Sequence, residues 1–157
     1  MNNNPPSLLN RTAMLLYGVT VYAIFFATFC YTPAFIGNVL VPKSIDSAPT
    51  MTLGNALLIN GALLGLFAVQ HSVMARPFFK RWFTRLIPEA AERSTYTLAS
   101  TVILIALFWF WQPMGGVIWQ ADSEFARVML YGGLIIGFLL VVVASFLINH
   151  FDLFGLR

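Results

Sequence analysis

The side chains best suited to chemistry stand in three short polar groups, each at the edge of a long apolar run. The first group is Gln70-His71-Ser72, and the second is Glu92-Arg93-Ser94-Thr95-Tyr96. The third is Asn149-His150-Phe151-Asp152. Histidine can act as an acid, a base or a ligand near neutral pH, so these groups indicate acid–base chemistry. The candidate catalytic residues are His71, Arg76, Glu92, Arg93, Tyr96, Asn149, His150 and Asp152.

Each group also has a purely structural interpretation. A histidine at a helix C-terminus, such as His71, is stabilised as a cation by the helix dipole. Glu92 and Arg93 fit an ion pair at a helix start, and Glu89 is spaced to pair with Arg93 one turn later. Tyr96 fits an anchor at a membrane interface. The group around His150 is denser in polar residues than a membrane exit needs, and Asp152 is placed to orient the imidazole ring.

The composition determines the kind of element that carries these groups. The chain has 157 residues, of which 59% are hydrophobic and only 10% are charged. Soluble domains carry about 25% charged residues, and disordered chains are poor in apolar residues. The composition therefore indicates an integral membrane protein, whose immediate partner is the lipid bilayer.

Long uncharged intervals follow Arg11, Asp46, Arg93 and Arg127. A membrane-spanning helix needs about 20 predominantly apolar residues, so each interval has room for one span. The predicted fold is an all-α integral membrane bundle of four transmembrane helices that forms a single membrane domain, 1–157. The predicted spans are about 12–36, 51–74, 88–112 and 125–150.

The basic residues predict the orientation of the bundle. Five of them lie in the segment Arg76–Arg93, whereas the other two connections contain only Lys43 and Arg127. The positive-inside rule places the Arg76–Arg93 segment and both termini, with Arg11 and Arg157, in the cytoplasm. All three polar groups then meet at the cytoplasmic face. We expect a multi-pass protein of the bacterial inner membrane with a cytoplasmic active face.

Two further patterns concern association with lipid or protein. Gly61 and Gly65, and likewise Gly133 and Gly137, have the small-xxx-small spacing of close helix contacts. Glycine is also common in membrane helices in general, so contact within the chain, contact in a homo-oligomer and no contact all stay open. The segment 78–87 mixes bulky apolar and basic residues, which favours a short amphipathic helix at the lipid interface.

Several function classes lack support. His71 and His150 stand outside any close metal-ligand motif, so no metal site is expected. The sequence has neither a glycine-rich nucleotide loop nor a Gly-x-Ser-x-Gly nucleophile motif. The net charge of +3 follows from membrane topology and does not indicate a nucleic-acid partner. Ionisable residues are absent from the middle of the spans, so a transporter or channel is not supported.

Several blocks, in order, resemble the membrane methanethiol S-methyltransferases, which are related to NnrU membrane proteins and to isoprenylcysteine carboxyl methyltransferases. The blocks are His71–Lys80 with Thr84, Ile87-Pro88, Glu92–Tyr96, Phe108–Pro113 and Phe146–Arg157. The resemblance implies transfer of a methyl group from S-adenosylmethionine to a small thiol, methanethiol, to give dimethyl sulfide.

The resemblance also implies roles for some candidates. The thiolate is the reactive form of a thiol, so a base would assist the reaction. His71 or His150 could be this base, and Arg76 or Arg93 could favour the thiolate electrostatically.

Relatives in this family continue beyond the position of Arg157 with an Arg-His-Pro block and a paired-glutamate block, which form most of the cofactor site in the wider group. We therefore expect this chain to correspond to the N-terminal portion of such an enzyme. It would contribute the helix scaffold and depend on a complementing C-terminal portion. The alternative is a non-enzymatic, NnrU-like membrane scaffold or accessory protein.

Overall fold

The computed structural model describes residues 7–156, which fold into helices and connecting loops without a β-strand. Arg157, one of the basic residues used to predict the orientation, lies outside the described residues. The helices are α1 (Leu8–Gly37), α2 (Leu53–Met74), α3 (Pro77–Phe83), α4 (Glu92–Phe110), α5 (Glu124–Ile148) and α6 (His150–Leu153), with a 3-10 turn at Glu89–Ala91 before α4.

Four helical segments within residues 7–156 are long and apolar enough to cross a membrane. They are Leu8–Gly37, Leu53–Met74, Glu89–Phe110 and Glu124–Ile148. The prediction of an all-α protein with four transmembrane helices is confirmed. The first span begins four residues earlier than predicted, where the Ser7 hydroxyl caps the backbone N–H of Asn10. The last span ends at Ile148, two residues before the predicted end.

Helix α4 lies at the centre of the bundle and makes its main contacts with α1 on one side and α2 on the other. Helix α5 packs against α1, and none of its residues is buried within the chain. Hydroxyl side chains link α1 and α4 by a hydrogen bond. Thr95 donates its hydroxyl proton to the carbonyl of Ala91 at 2.8 Å, so the Tyr17 hydroxyl donates to Thr95 Oγ1 at 3.0 Å.

At one end of the bundle, which we call the tryptophan end, three aromatic side chains and one leucine form a buried cluster. Its members are Phe35, Leu107, Phe108 and Trp111. Beside this cluster, α2 is tied to the chain that leaves α4. The Asn60 side chain donates to the Gln112 carbonyl at 2.7 Å and accepts from the Gln112 N–H at 2.8 Å. The buried amide thus satisfies both backbone groups of one residue.

At the opposite end, the charged end, the chain turns back into the bundle after α5. Asn149 has a φ of 133°, which breaks the helix, and its side chain caps α6 through the N–H of Asp152. The following segment, 149–156 (the return segment), packs against the start of α4. Gly155 has a φ of 74°, and a Cβ there would lie 2.6 Å from Ser94 Oγ. A glycine is therefore required where the return segment meets α4.

The two small-xxx-small patterns do not mark contacts within the described part of the chain. A Cβ placed on Gly61, Gly65, Gly133 or Gly137 would meet nothing within 4 Å. Among the described helical glycines, the close approaches occur instead at Gly18, which faces the return segment, and at Gly37, which faces Tyr131 on α5. The patterned glycines therefore lie on outward faces.

Candidate functional site at the charged end

A crevice of about 270 Å³ opens at the charged end, between α3, the start of α4 and the return segment. It brings together residues from two of the three polar groups, which are far apart in sequence. The lining residues are Lys80, Glu92, Arg93, Tyr96, Ile148, Asn149, Asp152 and Leu153. We call this space the charged crevice.

The charges of the crevice are arranged in two ion pairs. Lys80 Nζ lies 3.5 Å from the carboxylate of Glu92, whose side chain is largely buried. Arg93 pairs with the carboxylate of Asp152 and also donates to its backbone carbonyl at 2.7 Å. The expected pair of Glu89 with Arg93 does not form, because the return segment offers Arg93 both a carboxylate and a carbonyl. Two cations and two anions thus line one small space.

Sequence reasoning missed Lys80 as a site residue. Its position among Phe78, Phe79 and Trp82 indicated a lipid anchor, and its spacing gave no sign of Glu92 as a partner. The connection after α3 folds so that this short helix meets the α4 N-terminus, which brings Lys80 to the buried carboxylate. Only the tertiary structure shows this pairing.

His71 joins the site through Tyr96. The phenol oxygen of Tyr96 lies 3.0 Å from Nδ1 and 3.1 Å from Nε2 of His71. Ser100 approaches the same Nδ1 at 3.5 Å, and the imidazole stacks on Phe67. His71 is exposed on the surface of the chain whereas Tyr96 lines the charged crevice, so Tyr96 connects the crevice to an exposed imidazole.

His150 is buried in an aromatic cage, and the bonds to its ring nitrogens define its tautomer. Ser145 Oγ lies 2.7 Å from the carbonyl of Val142, which can only accept, so the single hydroxyl proton points there. Ser145 must therefore accept from His150 Nδ1–H at 2.8 Å. Nε2 is then the acceptor, and the Tyr22 hydroxyl donates to it at 2.7 Å. Both ring nitrogens therefore have hydrogen-bond partners within the chain.

The expected role of Asp152 as the residue that orients His150 is not what the structure shows. Tyr22 and Ser145 hold the ring nitrogens, and Phe146 stacks on the ring with centroids 4.2 Å apart. The carboxylate of Asp152 instead pairs with Arg93. Sequence reasoning missed Tyr22, because it lies in the first span, over a hundred positions from His150.

Arg76 is a candidate catalytic residue that lies outside the charged crevice. It precedes α3, is exposed and is not among the residues that line the charged crevice. Within residues 7–156, no group of three or more histidine, cysteine, aspartate or glutamate side chains is placed to hold a metal ion.

Comparison with known proteins confirms the family resemblance. The chain is 52% identical to a methanethiol S-methyltransferase of Crocosphaera subtropica over 151 residues, 96% of this chain and 59% of that protein. It is 45% identical to the methanethiol S-methyltransferase of Mycobacterium tuberculosis, over 95% of this chain and 61% of that protein. Nurim of Rattus norvegicus is 29% identical over 60% of this chain and 38% of its own length.

The chain thus spans about three fifths of the length of the methyltransferases that it matches. No family model matches the sequence. No solved structure matches it either. Similarity to methyltransferases implies a methyl donor and a methyl acceptor in those relatives.

Proposed function

We propose that this chain forms part of a membrane methyltransferase that transfers a methyl group from S-adenosylmethionine to methanethiol and produces dimethyl sulfide. The identity of 52% with the Crocosphaera subtropica enzyme over 96% of the chain carries the proposal. The charged crevice and His71 would provide the thiol side of the reaction. On the positive-inside rule, they would face the cytoplasm of a bacterial inner membrane.

The charged crevice by itself does not fit S-adenosylmethionine. Small-molecule and cofactor pockets measure about 300–1,000 Å³, whereas the charged crevice has about 270 Å³. Its lysine, arginine, glutamate and aspartate are already paired with one another. We therefore assign to the charged crevice only thiol binding and deprotonation. The family resemblance implies that most of the donor site lies in the additional length of the relatives.

Of the two histidines, His71 is the better candidate for the general base. His150 has both nitrogens engaged, and a base must reach the proton that it removes. The Tyr96 hydroxyl lies between the charged crevice and the His71 ring. A thiol in the crevice would give its proton to Tyr96 Oη while Tyr96 donates its own proton to His71. The net result is a thiolate in the crevice and a protonated His71 at the surface.

Arg93 and Lys80 would favour the thiolate. A negative sulfur near these cations is stabilised by charge, but the carboxylates of Asp152 and Glu92 neutralise part of that effect. An arriving thiolate would share the two cations with the carboxylates. The role of Arg93 therefore combines substrate binding with attachment of the return segment.

The test is complementation in membranes. The chain would be co-produced with the part of the Crocosphaera subtropica enzyme that it does not match, and dimethyl sulfide would be measured by headspace gas chromatography after addition of methanethiol. We expect product only when both parts and S-adenosylmethionine are present. We expect weak or no binding of S-adenosylmethionine by the chain alone in calorimetry.

Variants separate the proposed roles. His71→Gln should lower the complemented rate by about 100-fold, the contribution typical of a general base, and Arg85→Gln, an exposed basic residue outside the crevice, should leave it unchanged. An unchanged rate in His71→Gln would exclude the proposed base. Complexes that assemble but yield no dimethyl sulfide would instead support the non-enzymatic scaffold.

A further inference from the structure

A second, larger cavity lies far from the charged crevice, near the tryptophan end. It has a volume of about 720 Å³ and is formed by α1, α4 and the loop after α1. The lining residues are Ala27, Thr28, Tyr31, Pro42, Lys43, Ile105, Phe108 and Trp109. We call it the lateral cavity, because α1 and α4 are membrane-spanning segments and its rim residues Ala27, Ile105 and Trp109 are exposed on their flanks.

The wall of the lateral cavity offers a ligand almost no hydrogen-bonding capacity. The Thr28 hydroxyl donates to the Ile24 carbonyl at 2.8 Å, within its own helix. The Tyr31 hydroxyl donates to the Lys43 carbonyl at 3.4 Å. The remaining wall is aliphatic and aromatic. A cavity of this kind, open to the bilayer interior, suits a hydrocarbon chain and not a polar solute.

One cation stands at the mouth of this apolar space. Lys43 Nζ donates one bond, to the Trp109 carbonyl at 2.7 Å, at the end of α4. An ammonium has three donors, so two remain for a ligand. Lys43 forms no ion pair among residues 7–156, and partial burial lowers the pKa of its ammonium. The lysine lies in the loop after α1, and the neighbouring Trp109 is of the type that marks headgroup depth in membrane proteins.

We propose that the lateral cavity binds an anionic phospholipid, with an acyl chain between α1 and α4 and the phosphate on Lys43. Lysine binds phosphate as a point charge, and the neighbouring Trp109 is of the residue type enriched at headgroup depth. The unneutralised ammonium favours phosphatidylglycerol over a zwitterionic lipid. The site is independent of methyl transfer, since it shares no residue with the charged crevice.

Native mass spectrometry of the full chain, released from nanodiscs of equal phosphatidylglycerol and phosphatidylethanolamine, tests the proposal. We expect one retained phospholipid, mostly phosphatidylglycerol. Lys43→Gln should reduce the phosphatidylglycerol-bound fraction about fivefold, the effect typical of one basic residue near a membrane surface. Arg127→Gln, which removes a cation at the start of α5 outside the lateral cavity, is the matched control and should retain the wild-type fraction.

A second variant addresses the acyl chain without altering charge. Ala27→Phe fills the lateral cavity from α1, so it should abolish retention of both lipids while circular dichroism shows an intact helical fold. The proposal fails if the wild type retains no lipid, if Lys43→Gln matches Arg127→Gln, or if Ala27→Phe retains lipid normally. It also fails if adding the extra segment of the relatives displaces the lipid, because that segment would then be the occupant.

Discussion

Arg93, at the start of α4, holds Asp152, in the return segment, through both its carboxylate and its backbone carbonyl. The two residues are 59 positions apart, and their contact closes one side of the charged crevice. The same contact removes Arg93 from the pairing with Glu89 that helix spacing suggests. The geometry of the site therefore depends on the folded-back return segment.

The Arg93–Asp152 pair should contribute a modest coupling energy to stability. Both side chains are nearly half exposed, and exposed pairs contribute about 0.2–1 kcal/mol. A double-mutant cycle with Arg93→Ala and Asp152→Ala, measured by unfolding in detergent, should give that value and lose most of it in 1 M salt. The cycle of Arg85→Ala with Asp152→Ala is the control and should be additive. A coupling that salt leaves unchanged would contradict the assignment.

Gly155→Ala should destabilise the charged end by about 1–3 kcal/mol. The substitution places a side chain at a φ of 74° and puts its Cβ 2.6 Å from Ser94 Oγ. Gly133→Ala is the matched control, because a Cβ there meets nothing within 4 Å and alanine is the better helix former. The measurement is the unfolding free energy of each variant in the same detergent.

Ser94→Ala should recover part of the loss caused by Gly155→Ala, because it removes the nearest of the atoms in the way. The positive φ and the Ser94 backbone nitrogen at 3.0 Å remain, so recovery should be incomplete. Equal effects of Gly155→Ala and Gly133→Ala would show that the return segment does not pack on Ser94.

The neutral ring of His150 should carry its proton on Nδ1. The Ser145–Val142 bond requires this tautomer, and Tyr22 donates to the other nitrogen. Nitrogen chemical shifts of labelled histidine, with His71→Gln for assignment, would show a protonated Nδ1 and an unprotonated Nε2. A ring protonated on Nε2 would refute the proposed direction of the bonds.

Tyr22→Phe should lower the unfolding free energy by about 1 kcal/mol, because a buried ring nitrogen loses its donor. Tyr31→Phe is the control: its hydroxyl makes a longer bond of 3.4 Å to a backbone carbonyl, so the loss should be smaller. The comparison uses the same unfolding assay. A larger loss for Tyr31→Phe would contradict the importance of the Tyr22–His150 bond.

Asn60→Leu should destabilise the tryptophan end by about 1–3 kcal/mol. It leaves both the N–H and the carbonyl of Gln112 without the Asn60 partner that satisfies them in the fold. Asn55→Leu, at an exposed position of the same helix, should have little effect. Hydrogen exchange at the Gln112 amide would report the local change. Unaltered protection of that amide in Asn60→Leu would count against the bond.

The charged end should face the cytoplasm. In a Cys30→Ala background, Val117→Cys should react with a membrane-impermeant maleimide in intact spheroplasts, whereas Arg85→Cys should react only after lysis. Both positions are exposed. Arg85 lies in the connection before α4 and Val117 in the connection after it, so the two positions are at opposite ends of this spanning helix. Labelling of Arg85→Cys before lysis would reverse the orientation predicted from the basic residues.

The number and type of the spanning elements could be predicted from the sequence, because continuous apolar runs of about 20 residues satisfy their backbone groups in lipid as helices. The meeting of Glu92, Arg93, Asn149 and Asp152 was likewise predictable, since alternating spans bring their ends to one face. The sequence left open whether the glycine pairs mark helix contacts, because spacing does not tell which side of a helix faces a neighbour.

The sequence by itself determined the four helices and the residues of their polar ends, since hydrophobicity and charge act locally along the chain. Only the tertiary structure decided which side chains these polar residues pair with. Arg93 forms an ion pair with Asp152 instead of Glu89, Lys80 forms one with Glu92, and Tyr22 forms a hydrogen bond with His150. The pairs of Arg93 with Asp152 and of Tyr22 with His150 depend on the turn at Asn149 and the close approach at Gly155, whereas the pair of Lys80 with Glu92 depends on the connection between α3 and α4. These contacts, at 2.7 Å for Tyr22 with His150 and 3.5 Å for Lys80 with Glu92, bring together segments that are distant in sequence, so residue spacing does not predict them.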